Sequence, residues 1–104
     1  MNKRFKFTDK LIQSLPAHSR DSRATEAEYS DTDITGLKCL IGKTGNRRFL
    51  FRYTFHGRKY SISLGKFGDI KVADAKRVAQ KHRIMLLEGR NPKVERDEHI
   101  NMSL

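Results

Sequence analysis

Apolar residues recur along this chain in two rhythms, and the switch between them separates strands from helices. From Leu37 to Leu64 the period is two. Leu37, Cys39 and Ile41 share one face of a first predicted strand, with Lys38 and Leu40 on the other. In the second strand Phe49, Phe51, Tyr53 and Phe55 lie opposite Arg48, Leu50, Arg52 and Thr54. In the third, Tyr60, Ile62 and Leu64 lie opposite Lys59, Ser61 and Ser63. The loop Gly42-Lys43-Thr44-Gly45-Asn46 and the pair His56-Gly57 are short enough to make neighbouring strands antiparallel. Past Gly68 the period becomes helical. Val72, Ala75, Val78, Ala79, His82, Met85 and Leu86 form one stripe and predict a helix from Val72 to Glu88, ended by Gly89, with Pro92 opposing continuation.

The flanks are less periodic. Thr8 before Asp9, with Leu11, Ile12 and Leu15 at helical spacing and Pro16 as a stop, predicts a short N-capped helix of about two turns. From Ala17 to Asp33 the chain is rich in Ser, Thr, Asp, Arg and Glu and reads as a surface loop; from Lys93 it is charged and reads as a linker. A sheet with one apolar face needs a cover, and the C-terminal helix is the only long amphipathic element available. The expected fold is therefore α+β: a three-stranded antiparallel sheet packed on a C-terminal α-helix, with a short N-terminal helix. Residues 1–92 form the domain, and 93–104 begin a linker.

With 104 residues there is room for one domain, and 37% hydrophobic residues without a tryptophan make its core a lean one. Cys39 is the only cysteine, which excludes internal disulfides and cysteine-based zinc sites. The longest apolar run, Ile84 to Leu87, is far too short to span a membrane, and Lys6, Asp9 and Lys10 interrupt any secretory segment. A cytoplasmic protein with no membrane partner is expected.

Charge changes the picture most. The net charge is +10, but residues 1–33 hold six basic and six acidic side chains and residues 69–104 hold eight and six. Between Ile34 and Gly68 there is no acid at all, while Lys38, Lys43, Arg47, Arg48, Arg52, Arg58, Lys59 and Lys66 are basic. Such a segment suits a polyanion. Because its cations alternate with the core positions of strands, the polar face of the sheet becomes the candidate surface. A strand ribbon can enter the major groove of duplex DNA, where Arg and Lys meet guanine edges and Ser and Thr meet bases or phosphates. Arg48, Arg52, Thr54, Lys59, Ser61 and Ser63 suit that face, with Lys38 and Arg58 beside it and Lys43 and Arg47 at a hairpin end for phosphates. Leu40 and Leu50 on the same face admit a protein contact instead, and an RNA-binding sheet is the nearest rival. The aromatic row Phe49, Phe51, Tyr53 and Phe55 fits a core better than a stacking platform. His82 lies on the helical stripe and reads as packed; His18, His56 and His99 have no ligand pattern around them, so no metal and no cofactor is assigned. Nothing assembles a nucleophile, a base and an oxyanion hole, so no catalytic residue is expected.

Seven short motifs in order complete the reading: Phe7-Thr8-Asp9-Lys10, Asp31-Thr32-Asp33-Ile34-Thr35-Gly36-Leu37, Phe51-Arg52-Tyr53, His56-Gly57-Arg58, Ser63-Leu64-Gly65, Ala73-Asp74-Ala75-Lys76 and Gly89-Arg90-Asn91-Pro92. Together they resemble the N-terminal arm-type DNA-binding domain of phage and genomic-island integrases of the tyrosine recombinase family. The resemblance covers about residues 5 to 96. It implies a small sheet packed on a helix that binds arm-type sites in double-stranded attachment DNA, while later domains bind core sites and cut. Other integrase protomers and accessory DNA-bending proteins are the implied partners. The chain departs from the family at Gly68, where proline is common, at Lys71, where a helix-capping serine is usual, and at Phe49, where tryptophan is frequent. The recombinase catalytic set has no counterpart here, and Met102-Ser103-Leu104 resembles the passage into a next domain, so the expectation is one part of a longer integrase.

Overall fold

The computed structural model describes residues 3–102. Its centre is the predicted meander: β3 (Leu37–Gly42), β4 (Arg47–Phe55) and β5 (Arg58–Lys66), paired antiparallel in sequence order. The two-residue turn between β4 and β5 places both His56 (φ 51°) and Gly57 (φ 76°) in the left-handed region. Two positive φ values in succession match the twist of antiparallel strands, which is why this pair makes a tight hairpin.

The sheet is larger than the predicted three strands. Glu26–Asp31 forms β2, antiparallel to β3, and Arg4–Phe5 forms β1, parallel to β2, giving five strands in the order β1-β2-β3-β4-β5. The expected loop over 17–33 is thus a strand in its second half. Its sequence, Glu-Ala-Glu-Tyr-Ser-Asp, offers only Ala27 and Tyr29 as apolar alternates, too short a pattern to stand out. Pairing with β3 makes it a strand, and Ala27, Tyr29 and Asp31 then turn into the core.

Three helices follow from caps as much as from periodicity. Thr8 caps α1 (Asp9–Ser14), its hydroxyl accepting the Leu11 N–H at 3.1 Å, and Leu15 before Pro16 is extended, as a residue preceding proline prefers. In α2 (Val72–Leu87) the predicted end is met by a Schellman arrangement: Gly89 (φ 74°) donates to Leu86 and Arg90 donates to Met85. Lys71 has no side chain that could accept at the start of α2. Two acids serve there instead, since Asp74 accepts the Lys71 N–H at 3.0 Å and Asp9 of α1 accepts the Val72 N–H at 2.8 Å. The segment expected as a linker is helical, α3 (Pro92–Met102). Pro92 is fully buried, and the Tyr53 hydroxyl donates to Asn91 Oδ1 while accepting the Lys93 N–H at 3.1 Å, so the sheet itself fixes where α3 starts. Ser103 and Leu104, part of the expected passage to a next domain, lie outside the described residues.

All of this leaves the sheet covered on one side. Phe7, Ile12, Leu15, Tyr29, Leu37, Cys39, Ile41, Phe49, Phe51, Val72, Ala75 and Ala79 form one core, so α1 and α2 lie over the same face. Phe49 and Phe51 are completely buried and Tyr53 is half-buried against them, which makes the first three positions of the aromatic row part of the core, while Phe55 is half-buried beyond it. Burial pushes the Cys39 thiol up to about 12 and leaves it inert. Asp31, also buried on this side, accepts the N–H groups of Phe7 and Ile34 at 2.9 Å each and so fastens the N-terminal segment to the β2–β3 loop.

Candidate nucleic-acid interface

Directly paired residues on adjacent strands share a face, so the register maps the open side of the sheet. Glu28, Leu40, Arg48 and Lys66 make one row across β2 to β5; Ser30, Lys38, Leu50 and Ser63 make the next. Arg52 with Ser61, and Thr54 with Lys59, continue towards the β4–β5 turn. Glu28, Lys38, Arg52, Thr54, Lys59 and Ser61 line a groove of about 550 Å³.

Lys66 belongs to this face only because β5 is irregular. Strict alternation from Tyr60, Ile62 and Leu64 would turn residue 66 into the core. A bulge opposite Phe49 and Leu50 inserts Leu64 between the paired Ser63 and Gly65, and the strand leaves it with Lys66 beside Arg48. Gly65 (φ 140°), where a Cβ would lie 3.1 Å from Ile70, is the sequence signal for that bulge.

Acids also reach the face. The segment from Ile34 to Gly68 has none, but β2 brings Glu26 and Glu28 over β3. Arg48 donates to both oxygens of Glu26, from Nε at 3.0 Å and Nη2 at 2.8 Å; Arg52 donates from Nε to Glu28 at 2.6 Å. The Arg48 hydrogen bond holds the Glu26 carboxyl below its ordinary pKa, and the same bond raises that of Arg48. These long side chains also explain Leu40 and Leu50, which are only 4% and 6% exposed on a side that no helix covers. The alkyl stems of long charged side chains can cover apolar neighbours on a sheet face in this way. An apolar protein-docking patch is therefore absent at these two positions.

Of the other expected site residues, three are placed differently. Arg47 pairs with Ile41 and stands on the covered side, where its guanidinium donates to the carbonyls of Ile12 (2.9 Å), Gln13 (3.3 Å), Leu15 and Gly45 (2.9 Å). It caps the C-terminal end of α1 rather than joining the open face. Lys43 at the hairpin end donates to the carbonyls of Ser22 at 2.7 Å and Arg20 at 3.4 Å, tying down the loop before β2. Arg58, exposed, pairs with Phe55 and sits at the tip of the β4–β5 hairpin on the side of the core. Lys38 stays on the open face and donates to Ser30 at 2.9 Å. Arg48, Arg52, Thr54, Lys59, Ser61 and Ser63 come together there as expected from their alternation. Among the described residues no group of three His, Cys, Asp or Glu side chains could hold a metal ion, and no helix is long and apolar enough to cross a membrane. The side chain of His99 lies outside the described residues.

A helix-backed sheet whose other face carries paired arginines, lysines and hydroxyls is the geometry for which a family assignment becomes informative. Residues 7–99 match the model of a family described as the arm DNA-binding domain. The chain belongs to that family. It is thus an arm-type DNA-binding domain of integrases, a DNA-binding unit and not the catalytic one. No curated protein matches the chain. The matched residues run through most of α3.

Proposed function

We propose that this arm domain binds double-stranded DNA with the open face of β2 to β5, laying the strands into the major groove. The reading places Arg48 and Arg52 towards base edges, Thr54, Ser61 and Ser63 towards bases or phosphates, and Lys38, Lys59 and Lys66 towards the two backbones. Arg58 and Lys43, at opposite ends of the sheet, are the peripheral phosphate contacts. The observation that carries the proposal is that Lys38 of β3, Arg48 and Arg52 of β4, and Lys59 and Lys66 of β5 share the face opposite the helix-covered core. In this role the domain is the N-terminal part of a cytoplasmic tyrosine-type recombinase of a phage or genomic island. It holds arm-type attachment sites in integration and recombination, alongside other protomers and DNA-bending proteins.

The test is the salt dependence of binding to duplex DNA. Arg48 and Arg52 are matched by Glu26 and Glu28, which leaves three lysines on the face without an acidic partner among the described residues. Each neutralised phosphate contributes about −0.9 to the slope of log affinity against log salt, so these three lysines together with the peripheral Lys43 and Arg58 make a slope of roughly −4 to −5 the expected result. A nearly flat response refutes the proposal. Tighter binding to duplex RNA of the same length does so too, because the A-form major groove is too narrow for a strand ribbon.

A further inference from the structure

Glu26 and Glu28 stand on the surface that is to meet a polyanion, where a carboxylate is the least expected group. Their geometry gives them a use. Each accepts from the Nε edge of an arginine, and among the described residues the two terminal nitrogens of Arg52 and Nη1 of Arg48 make no hydrogen bond. The guanidinium is gripped from the side and its end is left open. That end is the fork that meets O6 and N7 of guanine. We propose that Glu26 and Glu28 are positioning residues that set the sequence discrimination of this domain, orienting Arg48 and Arg52 for bases while cancelling the charge that phosphates would otherwise attract. This rests on the DNA-binding reading above.

Two physical effects act in the same direction. A free arginine on a sheet surface samples many rotamers and loses that freedom when it binds a base; one already held by a carboxylate loses less. A neutralised pair also attracts a phosphate weakly, so binding to any sequence falls while binding to the right bases is kept. Attaching β2 does not need these ion pairs. Five residue pairs join β2 to β3, and Ala27 and Tyr29 are buried in the core. Ion pairs with both partners so exposed add little to stability.

The experiment selects duplexes from a pool with a randomised 20-base-pair centre, using the whole chain, and then compares the enriched duplex with a shuffled one. Glu28→Gln should bind the shuffled duplex more tightly and steepen the salt slope by about 0.9, the share of one additional phosphate. Its preference for the enriched duplex should fall by about tenfold, within the range of one bidentate base contact. Glu26→Gln should act likewise through Arg48. Arg52→Lys, which keeps the charge but not the fork, should lose the preference with the slope unchanged. Thermal melts confirm that each variant is folded at the assay temperature. If Glu28→Gln steepens the slope and leaves the preference intact, the carboxylates only cancel charge and the positioning role is refuted. Equal weakening on both duplexes with a lowered melting temperature makes them a structural clamp and overturns the proposal as well. A wild-type chain that binds neither duplex would instead overturn the DNA-binding reading, and this proposal with it.

Discussion

Phe51 and Arg52 are adjacent in the chain and belong to opposite faces, so truncating each in turn separates folding from binding. Phe51 is completely buried, pairs across strands with Leu37 and Ile62, and has ring centroids of Tyr53 and His82 at 5.5 and 5.6 Å. Its replacement by alanine should cost about 3 to 5 kcal/mol. A domain of this size has only about 5 to 15 kcal/mol in total, so melting should fall by roughly 12 to 40 °C at about 4 to 8 °C per kcal/mol. Arg52→Ala removes an ion pair whose side chains are 46% and 40% exposed, and should cost under about 1 kcal/mol of stability. In binding the order reverses: Arg52→Ala should weaken duplex DNA affinity by about 1 to 3 kcal/mol, the worth of one base contact. Circular dichroism melts and fluorescence anisotropy on a labelled duplex measure the two quantities. Phe51→Leu, which keeps most of the volume, ensures a folded comparison. If Phe51→Leu melts like the wild type but loses DNA binding, while Arg52→Ala binds normally, the faces have been assigned the wrong way round.

Three further outcomes follow from the covered side. Asp31→Ala leaves the N–H groups of Phe7 and Ile34 without their 2.9 Å acceptor and should destabilise by about 2 to 5 kcal/mol in urea titrations, with DNA affinity of the folded protein unchanged. Gly36→Ala should be as damaging for a different reason: at φ 95° its Cβ would lie 2.6 Å from the Arg52 carbonyl, and Gly36 accepts the Arg52 N–H at 2.8 Å, so both stability and DNA binding should drop. His82 packs on Phe51 with its Nδ1 unpartnered, and burial first, then the charge of Arg96, holds its pKa below 6.5. The unfolded chain then takes up the proton first, so the stability present above about pH 6.5 should be lost as pH falls below it. His82→Leu should flatten the urea midpoint between pH 7.5 and 5.5; an unchanged pH dependence in that variant contradicts the assignment.

Much of the architecture is local in origin and could be read from residue order. Alternation of Phe49, Phe51 and Tyr53 against Arg48, Leu50 and Arg52 sets the two faces of β4, whatever packs on them. The His56-Gly57 turn, the Thr8 cap and the Gly89 stop are each decided by the conformational range of one or two residues. The central part of the candidate site was legible for the same reason, since residues i and i+2 of a strand must point the same way. Five features depended instead on contacts between distant segments. Strand β2 exists because its backbone pairs with β3, and its short apolar pattern says little alone. The helical start of α3 is fixed by Tyr53, some 40 residues earlier in the chain. Arg47, on the covered side with Phe49, was engaged there by the carbonyls of α1, and Lys66 was turned onto the open face by a bulge whose register only the partner strand defines. The charge of the face was the largest change. An acid-free segment is a property of sequence distance, whereas a Coulomb interaction depends on distance in space, and folding placed Glu26 and Glu28 within hydrogen-bond reach of the two arginines at its centre.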